Sequence, residues 1–296
     1  MNQSRAALAA IVIVIPLAMM ATVDTGRPAQ QASSGQHELT IVASFYPLYE
    51  FASHIAGNKA QVSSLVPAGI DPHDWEPSPR DVVTAHDADM LVINGAGFDN
   101  WAASIGAKKI VDTSEGMEFD HANPHVWLDP ILAKHQVEKI RDALVSTDPD
   151  NADYYIQNAA NFAAKLDSLD SSIRSGLANC ESSEFIAFHN AFAHFARRYG
   201  LTQYSIQGVS PEGEVLPQKL QQVIELAKNK HISMIYSEDL VDSRLADTIS
   251  AEIPGGRVLV LSPIEGIGKE EQEAGIGYID KMEENIANLR EGLACR

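Results

Sequence analysis

From Leu39 onward the apolar residues fall into short β-rich runs that alternate with helical stretches. "LTIVAS" (39–44) is a continuous apolar run of buried-strand type, and the segment that follows predicts a helix over about 47–56, closed by Gly57. "QVSSLV" (61–66), "DMLVING" (89–95) and "KKIVD" (108–112) read as three further strands. In "SPRDVVTAH" a helix starts, with Ser78 as N-cap, Pro79 at the first position and Asp81 completing a capping-box pattern. Strands separated by helices predict βαβ units and a mostly parallel sheet.

The rhythm then changes. After a helix beginning near Pro130, the apolar positions Tyr155, Ala159, Phe162, Leu166, Leu169, Ile173 and Leu177 recur at three and four residues. That spacing predicts one amphipathic helix over about 150–178, on the order of 40 Å long at 1.5 Å per residue. Strand–helix alternation resumes with "EFIAFH" (184–189), "LTQYSIQ" (201–207), "HISMIYS" (231–237) and "RVLVL" (257–261), and a last helix is expected from about Tyr278 to Leu293. The pattern predicts an α/β protein: two βα lobes, over 39–149 and 179–296, with mostly parallel sheets, joined by one long rigid α-helix over 150–178. No internal repeat stands out.

Ahead of the first strand, Arg5 precedes an apolar run from Ala6 to Ala21, roughly 16 residues and short for a membrane span. Residues 1–21 are expected to be a signal peptide or a membrane anchor. No cysteine near the run offers a lipid attachment point. A Pro/Gly/Ser/Gln-rich tether over 22–38 follows, so the folded part is expected outside the cytoplasmic membrane.

With 45% hydrophobic and 21% charged residues among 296, the chain is globular in composition. Its formal net charge of -18 argues against a nucleic-acid partner, because a phosphate backbone would repel such a surface. The same surface can attract cations, although an acidic balance more often serves solubility alone. The two cysteines, Cys180 and Cys295, allow one disulfide in an exported protein or two unrelated thiols, and spacing alone does not decide.

The ten histidines separate by position. In open α/β sheets, ligands bind beyond the carboxyl ends of the strands. His73 lies in the loop after the second strand, His125 in the loop after the fourth, and His189 at the carboxyl end of the first strand of the second lobe. Three imidazoles from two lobes can therefore converge on one cleft, and imidazole suits zinc, with iron, copper and nickel next. Singly, each is more often an unrelated loop histidine. His54, His86 and His135 on helices, His231 opening a strand and His194 five residues into a helix are read as structural or solvated. Around His73, the carboxylates Asp71, Asp74 and Glu76 are expected to orient the ring or to lower the local potential for a cation, with plain solvation for at least one of them. Pro77 and Pro79 are expected to stiffen the loop.

"GIDPHDWEPSPRDV", "LVINGAGFDNW", "NPHVWLDP" and "FHNAFAHFARRYGL", taken in that order, resemble the signatures of the zinc/manganese solute-binding proteins of ABC transporters, the ZnuA-like and TroA-like group. The resemblance extends from about residue 40 to the carboxyl terminus. It implies a metal between the lobes and ligands at His73, His125 and His189. Histidine at the third of these positions is the zinc-type choice, so Zn2+ is favoured over Mn2+ or Fe2+. It also implies delivery to an ABC-transporter permease by a monomeric receptor. Two features depart from the pattern. The usual fourth ligand is an aspartate where this chain has Ser262 in "LSPIEG", which leaves Glu265, Glu238 or a water near Ser262 as the fourth candidate. The long His-rich loop of zinc importers is reduced here to 112–123, with His121 alone.

Two rival readings belong to other classes. An extracytoplasmic metallohydrolase would need an open metal position and a general base, and the chain has no H-E-x-x-H, G-x-S-x-G or P-loop motif. A surface adhesin would leave the histidines without a ligand.

Overall fold

The computed structural model describes residues 38–120, 123–211 and 215–296. The amino-terminal apolar run, the tether up to His37 and His121 lie outside the described residues. The first lobe contains β1 (Leu39–Ala43), α1 (Tyr46–Ala56), β2 (Ala60–Ser64), α2 (Pro79–Asp87), β3 (Met90–Ile93) and β4 (Ile110–Asp112), and α3 (Pro130–Thr147) follows. The long α4 (Ala152–Gly176) leads to the second lobe: β5 (Glu184–Ala187), α5 (Ala193–Tyr199), β6 (Thr202–Ser205), α6 (Pro217–Lys230), β7 (Met234–Ser237), α7 (Arg244–Ala251), β8 (Arg257–Val260), α8 (Lys269–Glu273) and α9 (Tyr278–Gly292).

Among the described residues both sheets have four strands and parallel pairings, in the orders β2-β1-β3-β4 and β6-β5-β7-β8. The lobes thus share one strand order, although no sequence repeat betrays it. The strands end earlier than the apolar runs do. Leu65, Val66, Asn94, Phe188 and His189 leave the ladders and become the loops at the carboxyl edge, where parallel α/β sheets bind ligands.

Local chemistry accounts for the helix boundaries. Ser78 caps α2 and Asp81 returns the bond to Ser78 N, with Pro79 in the first turn. Asp129 caps α3 through bonds from Ile131 N and Leu132 N. α1 stops at Gly57, whose φ of 53° is left-handed and where a Cβ would lie 2.3 Å from Tyr154 Oη.

α4 buries Tyr155, Ala159, Phe162, Leu166, Leu169 and Ile173, the stripe the spacing predicts, while Leu177 is half-buried just beyond its end. It packs on α1 and α3 of the first lobe and on α9 of the second. One hydrophobic core therefore runs through both lobes along this helix, with a smaller cluster in each lobe. A disulfide joins Cys180, just past α4, to Cys295, just past α9.

Two histidines sit differently from the sequence expectation. His231 caps α6 in a left-handed conformation, three residues before β7, because the chain must reverse there. His194 is the second residue of α5, since the turn after His189 delays that helix to Ala193. Among the described residues no helix is long and apolar enough to cross a membrane.

Candidate metal centre

His73, His125, His189 and Glu265 meet in the cleft, with one ligand atom of each lying within 4.8 Å of all the others. Glu265 Oε1 is 2.9 Å from His73 Nε2, 2.8 Å from His125 Nε2 and 3.4 Å from His189 Nε2. His125 Nε2 and His189 Nε2 are 3.1 Å apart. A tetrahedral zinc with Zn–N near 2.0–2.1 Å has ligand atoms roughly 3.3 Å apart, so these separations are of the size such an ion requires. The side chains of His125 and His189 are fully buried, Glu265 is 3% exposed and His73 is 9% exposed. A cavity lined by Pro72, His73, Trp75, Phe98, Trp101 and Ser210 opens onto His73, which makes that ring the one reached from outside.

Each ring is aimed by a bond at its other nitrogen. Asn123 Oδ1 is 2.8 Å from His125 Nδ1 and also accepts from His125 N, while its amide donates to Asn190 O across the cleft. The amide oxygen can only accept, so His125 carries its proton on Nδ1 and turns the Nε2 lone pair inward. Glu238 Oε1, 2.6 Å from His189 Nδ1, orients the second lobe's imidazole so that its Nε2 faces inward. Ser210 Oγ lies 3.2 Å from His73 Nδ1. These are the outer partners that metal-binding imidazoles need to fix ring orientation.

The carboxylates around His73 divide. Asp71 accepts from His73 N at 2.8 Å and so shapes the backbone turn rather than the ring, while Asp74 and Glu76 stand exposed. The ring itself is oriented by Ser210. Glu238 orients His189 and stands outside the group of four. Ser262, only 1% exposed, donates to Asp239 Oδ2 at 2.6 Å and accepts from Ile264 N. Of the fourth candidates, Glu265 is the one brought among the histidines. His194 bonds Asn123 O, packs edge-on against Phe119 and lies outside the cluster. Asn123 escaped sequence reasoning, though an Asx residue two places before His125 in "NPH" was a readable signal. Ser210 carried none.

Electrostatics follow from burial and proximity. Burial pulls the His125 ring down to about 4, against the pull of Glu265. Burial opposes charge on His189 too, but Glu238 and Glu265 outweigh it and hold the ring up at about 10. For His73, burial is likewise outweighed by Glu265, and its pKa rises. Burial alone would raise Glu265, yet the three imidazoles hold it well below the carboxylate range. One anionic oxygen facing three inward nitrogens forms a receptor for a cation.

Comparison with known proteins finds zinc-uptake and zinc-binding proteins. The sequence profile of ZnuA, described as the periplasmic component A of the zinc-uptake complex, matches residues 41–292. The high-affinity zinc uptake system protein ZnuA of Bacillus subtilis is 37% identical over 290 residues, covering 90% of this chain and 91% of its own. The zinc-binding lipoprotein AdcA of Streptococcus pneumoniae is 35% identical over 86% of this chain, but this chain spans just over half of AdcA, 56%. The Zn(II)-bound ZnuA-like domain of S. pneumoniae AdcA superposes with a TM-score of 0.78 at 35% identity, over 86% of this chain and 99% of that domain.

Proposed function

Because this chain belongs to the ZnuA family of zinc-uptake components, we propose that it captures a divalent cation on His73, His125, His189 and Glu265 and delivers it to the permease of an ABC-type importer. The observation that carries this reading is the convergence of those four side chains from loops of both lobes onto one point. Three imidazoles and one carboxylate make a four-donor, nitrogen-rich set, which suits zinc. Manganese favours more oxygen donors. The ion is cargo, so the set must close around it and later open.

The family is one of solute-binding proteins rather than enzymes. Four protein donors leave no open position for an attacking water, which speaks against the hydrolase reading of this chain. The receptor is exported and acts as a monomer, and residues 1–21 serve as its signal or anchor.

Zinc binds only the folded chain, so it should raise the melting temperature of chelator-stripped protein by mass action. Replacing His73, His125 and His189 together with alanine should abolish that rise, and competition among zinc, manganese and iron should rank zinc first. A triple variant that zinc stabilises as much as the wild type would sink the proposal.

A further inference from the structure

Glu265 sits on a short loop after β8 in which the backbone of every residue before it is tied down. Ser262 N donates to Asn285 Oδ1 at 2.7 Å, and Asn285 Nδ2 donates back to Ser262 O at 2.7 Å. Trp127 Nε1 donates to Pro263 O at 2.8 Å, so the neighbourhood of His125 grips the same loop. Ser262 Oγ takes the bond from Ile264 N at 3.1 Å and gives its own proton to Asp239 Oδ2 at 2.6 Å. Behind Asp239 stands Lys281 Nζ at 3.0 Å, which also pairs with Glu271 at 2.8 Å although the lysine is only 2% exposed.

The loop needs such restraint. Ile264, fully buried, has a φ of 54°, a left-handed conformation that a β-branched residue adopts only under constraint. Relaxing Ile264 would rotate the adjoining peptide and swing Glu265 away from the imidazoles. The hydroxyl of Ser262 accepts from Ile264 N, and it is oriented by the half-buried Asp239, which pairs with the buried Lys281. The same stretch also touches the first lobe, because Gly69 N, four residues before His73, donates to Ile267 O at 2.8 Å.

We propose that Ser262, braced by Asp239 and Lys281, is a positioning residue that holds the strained turn at Ile264 and so aims Glu265 at the cation. Ser262 acts through Glu265, the carboxylate that stands among the three histidines, and does not itself join that group. The proposal rests on the four-residue site described above.

Three variants test it: Ser262→Ala, Ser262→Thr, which keeps the hydroxyl, and Glu265→Gln as a reference. Zinc affinity is measured by titration against a competing chelator, and cobalt(II) absorption reports the coordination geometry. Ser262→Ala should weaken zinc binding about 10- to 100-fold, the range for loss of an outer-shell partner. It should also lower the intensity of the cobalt visible bands as the tetrahedral set loosens, and Ser262→Thr should restore both. A purely structural serine would lower the melting temperature of the stripped protein and leave the cobalt spectrum unchanged. Wild-type affinity and spectrum in Ser262→Ala overturn the proposal. Should that variant not fold, Asp239→Asn is read in the same way: a smaller loss of affinity with the same spectral change supports the proposal, and neither change overturns it. Glu265→Gln binding zinc like the wild type would instead overturn the site on which the proposal stands.

Discussion

At the scale of single residues, the charge of the centre is set by protons whenever no cation occupies it. His189, held up at about 10 by Glu238 and Glu265 against its burial, is protonated at pH 7 in stripped protein. A divalent ion needs the lone pair that this proton occupies, so binding must release protons. Zinc titrations at pH 7 in two buffers of different ionisation enthalpy should therefore give apparent enthalpies that differ in the sense of proton release. Equal enthalpies would contradict this. The same shifts set the stability of stripped protein. His189's raised pKa contributes stability that is complete below its unfolded value of about 6.5 and is lost as pH rises towards 10. His125's lowered pKa works the other way, costing stability as pH falls from about 6.5 to 4. The depressed Glu265 contributes above the ordinary carboxylate range and is lost on stronger acidification. Stripped protein should be most stable near pH 6.5, and the thermal shift produced by zinc should grow between pH 5 and 8.

At the scale of elements, α9 packs on α4, and the disulfide joins the chain just past the ends of the two helices. Cys180 and Cys295 close a loop of 115 residues. Restricting the unfolded chain by a loop of that size contributes about 4–5 kcal/mol in the chain-entropy model. Replacing both cysteines by serine should lower the unfolding free energy measured by denaturant titration by an amount of that order. Zinc affinity should hardly change, because neither cysteine belongs to the group of four. A double variant as stable as the wild type would mean that packing of α9 on α4 already supplies the restraint. The continuity of the core along α4 gives the lobes a shared hydrophobic spine.

At the scale of the whole molecule, the net charge of -18 surrounds a centre that receives a cation. The field of such a surface raises the local concentration of divalent ions and their rate of arrival, and salt screens it with a Debye length of about 8 Å at physiological ionic strength. The association rate of zinc, followed by stopped-flow with a competing chromophoric chelator, should fall as sodium chloride is raised, with a weaker effect on the dissociation rate. A rate indifferent to salt would assign the acidic surface to solubility alone.

Much of this protein could be read along the chain, because the information was local. The periodicity of Tyr155 to Ile173 made α4, Ser78, Pro79 and Asp81 made the start of α2, and apolar runs bounded by helices made two parallel sheets. His73, His125 and His189 stood out because parallel strands send their carboxyl ends to one edge, so position relative to strand ends stands in for position in space. Tertiary structure decided the rest. Glu265 is 192 residues from His73, and among several carboxylates near the strand ends its selection depends on the left-handed turn at Ile264, which no pattern of isoleucine announces. Glu238 became a support for His189 and Asp71 a support for the backbone of His73, because a carboxylate's role is set by which atom it meets. The pairing of Cys180 with Cys295 waited on the packing of α9 against α4. Sequence settled what repeats along the chain, and only the fold could settle which distant side chains face one another across the cleft.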